Sequence, residues 1–106
     1  MLTLNEIFNL IKCQPSYDKR GWHSEEIVEY AKYEFWEDVK DLPIGEEADN
    51  SGRMCTLLEK VIADLGDNFF LVEDYYGATG GSRVQYWIVN RSSNSGSMIY
   101  EFDDLG

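Results

Sequence analysis

His23, Cys13, Cys55 and twenty Asp and Glu side chains are the residues of this chain best suited to chemistry. Nucleophilic catalysis needs a Cys or Ser beside a base. The one histidine, His23, falls just before an acidic run and reads as a surface or capping residue. Cys13 and Cys55 are too few for a disulfide scaffold and too sparse for a zinc site, so they read as buried thiols. General acid–base work by paired carboxylates is open to any of many pairs, and so no pair stands out. Gly77-Ala78-Thr79-Gly80-Gly81-Ser82 lacks the Lys and the following helix of a phosphate loop and reads as a hairpin turn. Glu46, Glu47 and Asp49 do not have the ligand spacing of a calcium loop. The expectation is a protein without catalytic residues, metal or cofactor.

The carboxylates matter instead as a field. The net charge is −11, with an isoelectric point near 4.3. Such a chain is repelled by nucleic acid and by anionic membranes and is drawn to basic surfaces. Residues 24–50 hold ten of the acids against Lys32 and Lys40. No apolar run is long enough to span a membrane, and Met1-Leu2-Thr3-Leu4-Asn5-Glu6 has none of the features of a secretion signal, so a cytoplasmic location is expected.

These groups must be positioned by a chain of 106 residues, 43% hydrophobic and 14% aromatic, which suits one domain over residues 1–106 rather than a disordered acidic tail. Thr3 with Glu6 three residues on reads as a capping box, and Leu4, Ile7, Phe8 and Ile11 recur at helical spacing, giving a first helix to about Cys13. Pro15 ends it, and Gln14 to His23 reads as a loop with Tyr17 and Trp22 folded back on the core. Ser24 as N-cap, with Val28, Ala31, Phe35, Val39 and Leu42 on one face, predicts a second helix over about residues 25–41, ended by Pro43. An acidic loop from Ile44 to Ser51 follows. Met54, Leu57, Leu58, Val61, Ile62 and Leu65 predict a third helix over about 52–65, closed by Gly66.

After Gly66 the hydrophobic period changes from 3.6 to 2. Phe69 to Tyr76, Arg83 to Val89 and Met98 to Phe102 predict strands, joined by turns at Gly77–Ser82 and Arg91–Ser97. The expected fold class is α+β, three N-terminal helices packed on a C-terminal three-stranded antiparallel sheet.

On the second predicted helix, Glu26, Tyr30, Tyr33, Glu37 and Asp41 lie around the face opposite Val28, Phe35 and Val39, with Glu29 beside it. Seventeen helical residues span about 25 Å, so its seven acids fall about 3.6 Å apart along the axis, close to the ~3.4 Å step per phosphate of one DNA strand; subtracting Lys32 and Lys40 leaves about one net charge per ~5 Å. Tyr30 and Tyr33 among carboxylates suit aromatic anchors of an interface. The candidate partner-binding residues are therefore Glu26, Glu29, Tyr30, Tyr33, Glu37, Asp41, Glu46, Glu47 and Asp49.

The chain resembles the small acidic inhibitors of phages and mobile elements that imitate DNA: anti-CRISPR proteins, anti-restriction proteins and uracil-DNA glycosylase inhibitors. Trp22-His23-Ser24-Glu25-Glu26-Ile27, Leu57-Leu58-Glu59-Lys60-Val61-Ile62 and the strands from Phe69 onward are similar in order to the staphylococcal-type glycosylase inhibitors. The resemblance implies stoichiometric inhibition of a nucleic-acid enzyme, with no catalysis. The implied partner is a basic nucleic-acid-binding protein: a CRISPR effector, a restriction enzyme, a glycosylase or a nuclease toxin. An immunity protein that neutralises a basic nuclease toxin is the alternative expectation, since it would use the same electrostatics.

Overall fold

The computed structural model describes residues 1–27 and 31–105. In chain order the elements are helix α1 (Leu4–Lys12), strands β1 (Trp22–His23) and β2 (Ala31–Lys32), and the single-turn helix α2 (Trp36–Val39). Strands β3 (Glu47–Asp49), β4 (Cys55–Gly66), β5 (Phe69–Ala78), β6 (Gly81–Asn90) and β7 (Ser95–Asp103) complete the fold. All seven strands join one antiparallel sheet in the order β1-β7-β6-β5-β4-β3, with β2 also pairing β7. The protein is thus mostly β, which corrects the expected arrangement of three helices on a three-stranded sheet. No helix among the described residues is long and apolar enough to cross a membrane.

Helix α1 forms where its signals place it. Glu6 N–H donates to Thr3 Oγ1 at 3.2 Å, and Thr3 N–H donates to Glu6 Oε1 at 3.0 Å, so both halves of the capping box are present. Ile7 and Ile11 on its inner face are fully buried against Leu65, Leu71, Val84, Tyr86, Ile88, Ile99 and Tyr100 on one face of the sheet. His23 joins this layer rather than the surface. Its ring packs edge-on against Phe8 and Tyr100, both at 5.0 Å, and near Tyr17. Burial, helped by the charge of Lys12, lowers its pKa. Tyr17 folds back as expected, whereas Trp22 is 54% exposed on β1.

The predicted third helix is strand β4. Its apolar residues match a helical stripe because two register shifts, at Ile62 and at Leu65, interrupt the alternation. Val61 pairs with Val72 and Ala63 with Leu71, which leaves Ile62 as an extra residue that shifts the inward face by one. Before the bulge Leu57, Glu59 and Val61 face one side; beyond it Ala63 and Leu65 pack with α1 on the other. Gly66, with φ of 88°, ends a strand instead of a helix, and Asp67 and Asn68, both at positive φ, make the tight turn into β5. The strands expected from Phe69 onward form as β5, β6 and β7, paired as a meander.

The predicted second helix survives only as the turn Trp36–Val39. Tertiary bonds outcompete helical ones along the rest of the described stretch. Ala31 and Lys32 pair with Gly96 and Ser95 of β7, and Tyr33 N–H donates to Asn94 O at 3.3 Å. Trp36 Nε1–H donates to Asn90 O at 2.7 Å, and Arg91 donates to the carbonyls of Lys40 and Leu42. Residues 31–42 form a strap across the second face of the sheet. Tyr33 and Val39 are buried there with Val61, Phe70, Val72 and Val89, and Phe35, Trp36, Leu42 and Trp87 pack around them. Gly96 leaves room for this crossing, since a Cβ there would stand 3.2 Å from Trp87 and 3.4 Å from Tyr33.

Neither cysteine is a buried thiol. Cys13 is exposed as the C-cap of α1, and Cys55 is half-buried at the start of β4. Both sit where an element ends and its packed face stops.

Candidate functional site

The expected acidic surface divides. Glu37 and Asp41 are exposed in and just after α2, and Glu46, Glu47 and Asp49 are exposed in and beside the edge strand β3. With Glu34 and Asp38 they make seven exposed carboxylates between residues 34 and 49, against Lys40 as the one basic residue. Lys40 is itself held by Glu37 at 2.9 Å. Asn50 Nδ2–H reaches toward Asp38 at 3.4 Å, so α2 and the end of β3 share one margin of the sheet. Glu26 is exposed after β1, at the opposite margin, and does not join them. Glu29 and Tyr30 lie outside the described residues, as does the Val28 position of the expected apolar face.

Tyr33 is a correction. Expected as an exposed anchor, it is 1% exposed. With the helix gone, the strap turns its ring inward onto Trp87, 5.2 Å between centroids, and its hydroxyl donates to the Asp74 carboxylate. Burial first, then the charge of Asp74 and the hydrogen bond to it, push the Tyr33 hydroxyl pKa well up, so it stays a donor.

Tyr33 leads to a polar row that the sequence patterns did not reveal. Across the strapped face, directly opposite positions run Trp22, Glu101, Gln85, Asp74 and Glu59 through β1, β7, β6, β5 and β4. Gln85 Nε2–H donates to Glu101 Oε2 at 2.6 Å and its Oε1 accepts from Trp87 Nε1–H at 3.0 Å. Glu59 is fully buried and accepts from Asn50 Nδ2–H. Burial raises its carboxyl to about 7; the Asn50 hydrogen bond opposes the shift, and the charges of Asp74, Asp38 and Asp49 add to it. Asp74 is likewise raised to about 7, first by burial, with the Tyr33 hydrogen bond and the Arg83 charge pulling the other way.

A cleft of about 190 Å³ opens between the strap and this row, walled by Tyr33, Phe35, Leu57, Asp74, Arg83 and Trp87 among others. On the other flank of Trp87 lies a shallower concavity of about 310 Å³ containing Trp22, Glu26 and Met98. A broader one of about 620 Å³ runs between residues 51–56 and the β5–β6 turn, where it meets the glycine-rich segment. That one holds no carboxylate and a single basic side chain, Arg53, and the backbone there makes the hairpin expected of it. Among the described residues no group of His, Cys, Asp and Glu is placed to hold a metal ion.

One signal in the sequence could have exposed this row. In Phe70-x-Val72-x-Asp74-x-Tyr76 and Leu57-x-Glu59-x-Val61, a carboxylate takes an inward position of a period-2 pattern. An acid on the apolar side of a strand is the exception that marks a site. Comparison with family models, characterised proteins and solved structures finds no match to this chain.

Proposed function

We propose that this chain is an acidic inhibitor that covers the basic nucleic-acid site of another protein, in the manner of phage anti-CRISPR and related anti-defence proteins, within the cytoplasm of a bacterial host. The observation that carries the reading is the α2–β3 margin, where Glu37, Asp38, Asp41, Glu46, Glu47 and Asp49 are exposed, against Lys40, which pairs with Glu37, and Lys60, opposite Glu47 on β4. The charge is displayed on a strap and an edge strand rather than a helix. Glu47 and Asp49 point to the same side of β3, about 7 Å apart, or two of the ~3.4 Å axial steps between phosphates of one DNA strand. A partner that reads phosphates with Lys and Arg would meet a comparable density of negative charge. Acidic side chains on an edge strand also oppose strand addition, so the partner docks on side chains rather than on the exposed backbone.

The test is inhibition of a panel of nucleic-acid enzymes: CRISPR effectors, restriction enzymes, uracil-DNA glycosylase and nuclease toxins. Competition with a DNA duplex is then measured on whichever enzyme responds. A Glu37→Lys, Asp41→Lys, Glu47→Lys variant that stays folded should lose inhibition. If that variant inhibits as well as the wild type, or if duplex and inhibitor bind the target together, charge mimicry at this margin is wrong.

A further inference from the structure

A buried carboxylate without a counter-ion is costly, and natural folds either pair it or neutralise it. The strapped face of this sheet holds one fully buried and one half-buried carboxyl at adjoining positions. Asp74 and Glu59 stand directly opposite each other on β5 and β4. Their hydrogen-bond donors among the described residues are neutral, the Tyr33 phenol for Asp74 and the Asn50 amide for Glu59. Glu59 is fully buried, and its Oε2 has no hydrogen-bond partner among the described residues. Neither acid forms an ion pair within that set. Two cations line the cleft, Lys32 of the strap and Arg83, two residues along β6 from the position opposite Asp74, and neither forms an ion pair with Asp74. Arg83 lies over the Tyr76 ring instead, 5.5 Å from its centroid. The two carboxyls are thus served by neutral donors, and neither has a cation at ion-pair distance among the described residues.

The space beside Asp74 indicates what could compensate it. A cleft of about 190 Å³ is too small for a nucleotide or a drug-sized ligand, and suits one charged head on a short apolar stem. Its walls include Tyr33, Phe35, Tyr76 and Trp87. Trp87 has its N–H engaged by Gln85 and its ring packed against Tyr33, so it enters the wall of the cleft as aromatic surface rather than as a donor. Aromatic faces attract ammonium and guanidinium groups, the more so when water is excluded. A metal ion would want several oxygen ligands, and the described residues offer no such group.

We propose that the Tyr33–Asp74–Trp87 cleft binds an organic cation, an alkylammonium or guanidinium group seated on the Asp74 carboxylate between aromatic rings. The same chemistry is presented by a free small amine and by a Lys or Arg side chain of a bound protein. The site borders the acidic strap, since Glu34 lies in its wall, but Glu37, Asp41 and Glu47 do not line it, so it can be tested apart from the inhibitory reading. Arg83 and Lys32 are its internal competitors, like charges in the wall of the cleft, and Glu34 is a further carboxylate there.

The experiment is an amide NMR titration of the whole chain with four probes: n-butylammonium, N-methylguanidinium, and lysine and arginine blocked at both termini. Sodium chloride at matched ionic strength serves as the control. Saturable shifts should centre on Tyr33, Asp74 and Trp87. Asp74→Asn, which keeps the shape of the side chain and can still accept from Tyr33, should weaken binding by about tenfold or more. Arg83→Gln, at a position with no hydrogen bond or ion pair to lose among the described residues, should tighten it. Preference for the free cations would point to a small amine, and preference for the blocked residues to a protein side chain; either supports the cation site. Absence of saturable shifts with all four probes would overturn the proposal. So would unchanged affinity in Asp74→Asn. Weaker binding in Arg83→Gln would also overturn it, because Arg83 would then support the bound probe rather than compete with it for Asp74. Were Asp74→Asn to unfold, the sign of the Arg83→Gln effect still decides.

Discussion

Glu59 and Asp74 set the chemistry of the strapped face, and their effect on stability has a definite sign. Both carboxyls are raised to about 7 in the folded chain, above their ordinary values near 4. The folded state therefore holds more protons than the unfolded state between about pH 4 and pH 7, and stability from these groups falls as pH rises through that window. Glu59→Gln keeps the acceptor for Asn50 and removes the charge. It should stabilise the protein by about 1–3 kcal/mol at about pH 8 and by almost nothing at about pH 4, where wild-type Glu59 is already neutral. Urea denaturation of the two proteins at both pH values measures this. A difference that does not grow with pH would show that Glu59 titrates like an exposed acid. His23 shows the reverse case at the other face, where burial among Phe8, Tyr17 and Tyr100 favours the neutral ring.

At the scale of elements, the strap decides the architecture. Residues 31–42 are locally able to form a helix, with Ala31, Lys32, Glu34, Glu37, Lys40 and Leu42 favouring it over Tyr33, Phe35, Trp36 and Val39. They gain more from Tyr33, Trp36 and Val39 packed on the sheet and from the side-chain donors Trp36 and Arg91. The fit is close at Gly96, where an added Cβ would meet the Ile88 carbonyl and Trp87 at 3.2 Å. Gly96→Ala should overpack this crossing and cost about 1–3 kcal/mol, with the strap amides, Tyr33 and Trp36 among them, losing hydrogen-exchange protection before the sheet does. Wild-type protection at Tyr33 in Gly96→Ala would mean that the strap has slack at that crossing. Strand β4 follows a related rule. Register shifts at Ile62 and at Leu65 make a strand present apolar residues at helical intervals, so periodicity alone assigns it wrongly.

Across the whole molecule, the net charge of −11 governs both stability and encounter. Its self-repulsion weakens the compact state, and screening relieves it. Raising salt from about 0.1 M to about 1 M shrinks the Debye length from ~10 Å to ~3 Å. The thermal midpoint of the free chain should therefore rise with sodium chloride, while association with a basic partner should slow. The two trends have opposite signs and one cause. An association rate insensitive to salt, measured by stopped flow on an identified target, would remove long-range electrostatics from the binding step. The triple reversal at Glu37, Asp41 and Glu47 should act mainly on that same rate, because these carboxylates are exposed and steer encounter more than they hold the complex.

Features that depend on neighbours in the chain are legible without the fold. Thr3 and Glu6 cap α1 because their reach is three residues, and the turns at Asp67–Asn68 and Thr79–Gly80 follow from residues that tolerate tight turn geometry. The strands after Gly66 were legible because their alternation is clean over most of their length, and the net charge is a sum that needs no fold. Tertiary structure alone decided the rest. Residues 25–41 and 52–65 carry patterns compatible with a helix, and the described parts were settled by partners far along the chain: β7 and Asn90 for the strap, β5 for β4. Tyr33 moved from an expected surface anchor to the core for that reason. The pairing of Asp74 with Glu59 was invisible for the same reason: fifteen positions apart in the chain, they meet only because a bulged hairpin puts them opposite each other, and burial, which no local pattern measures, then raises both carboxyls.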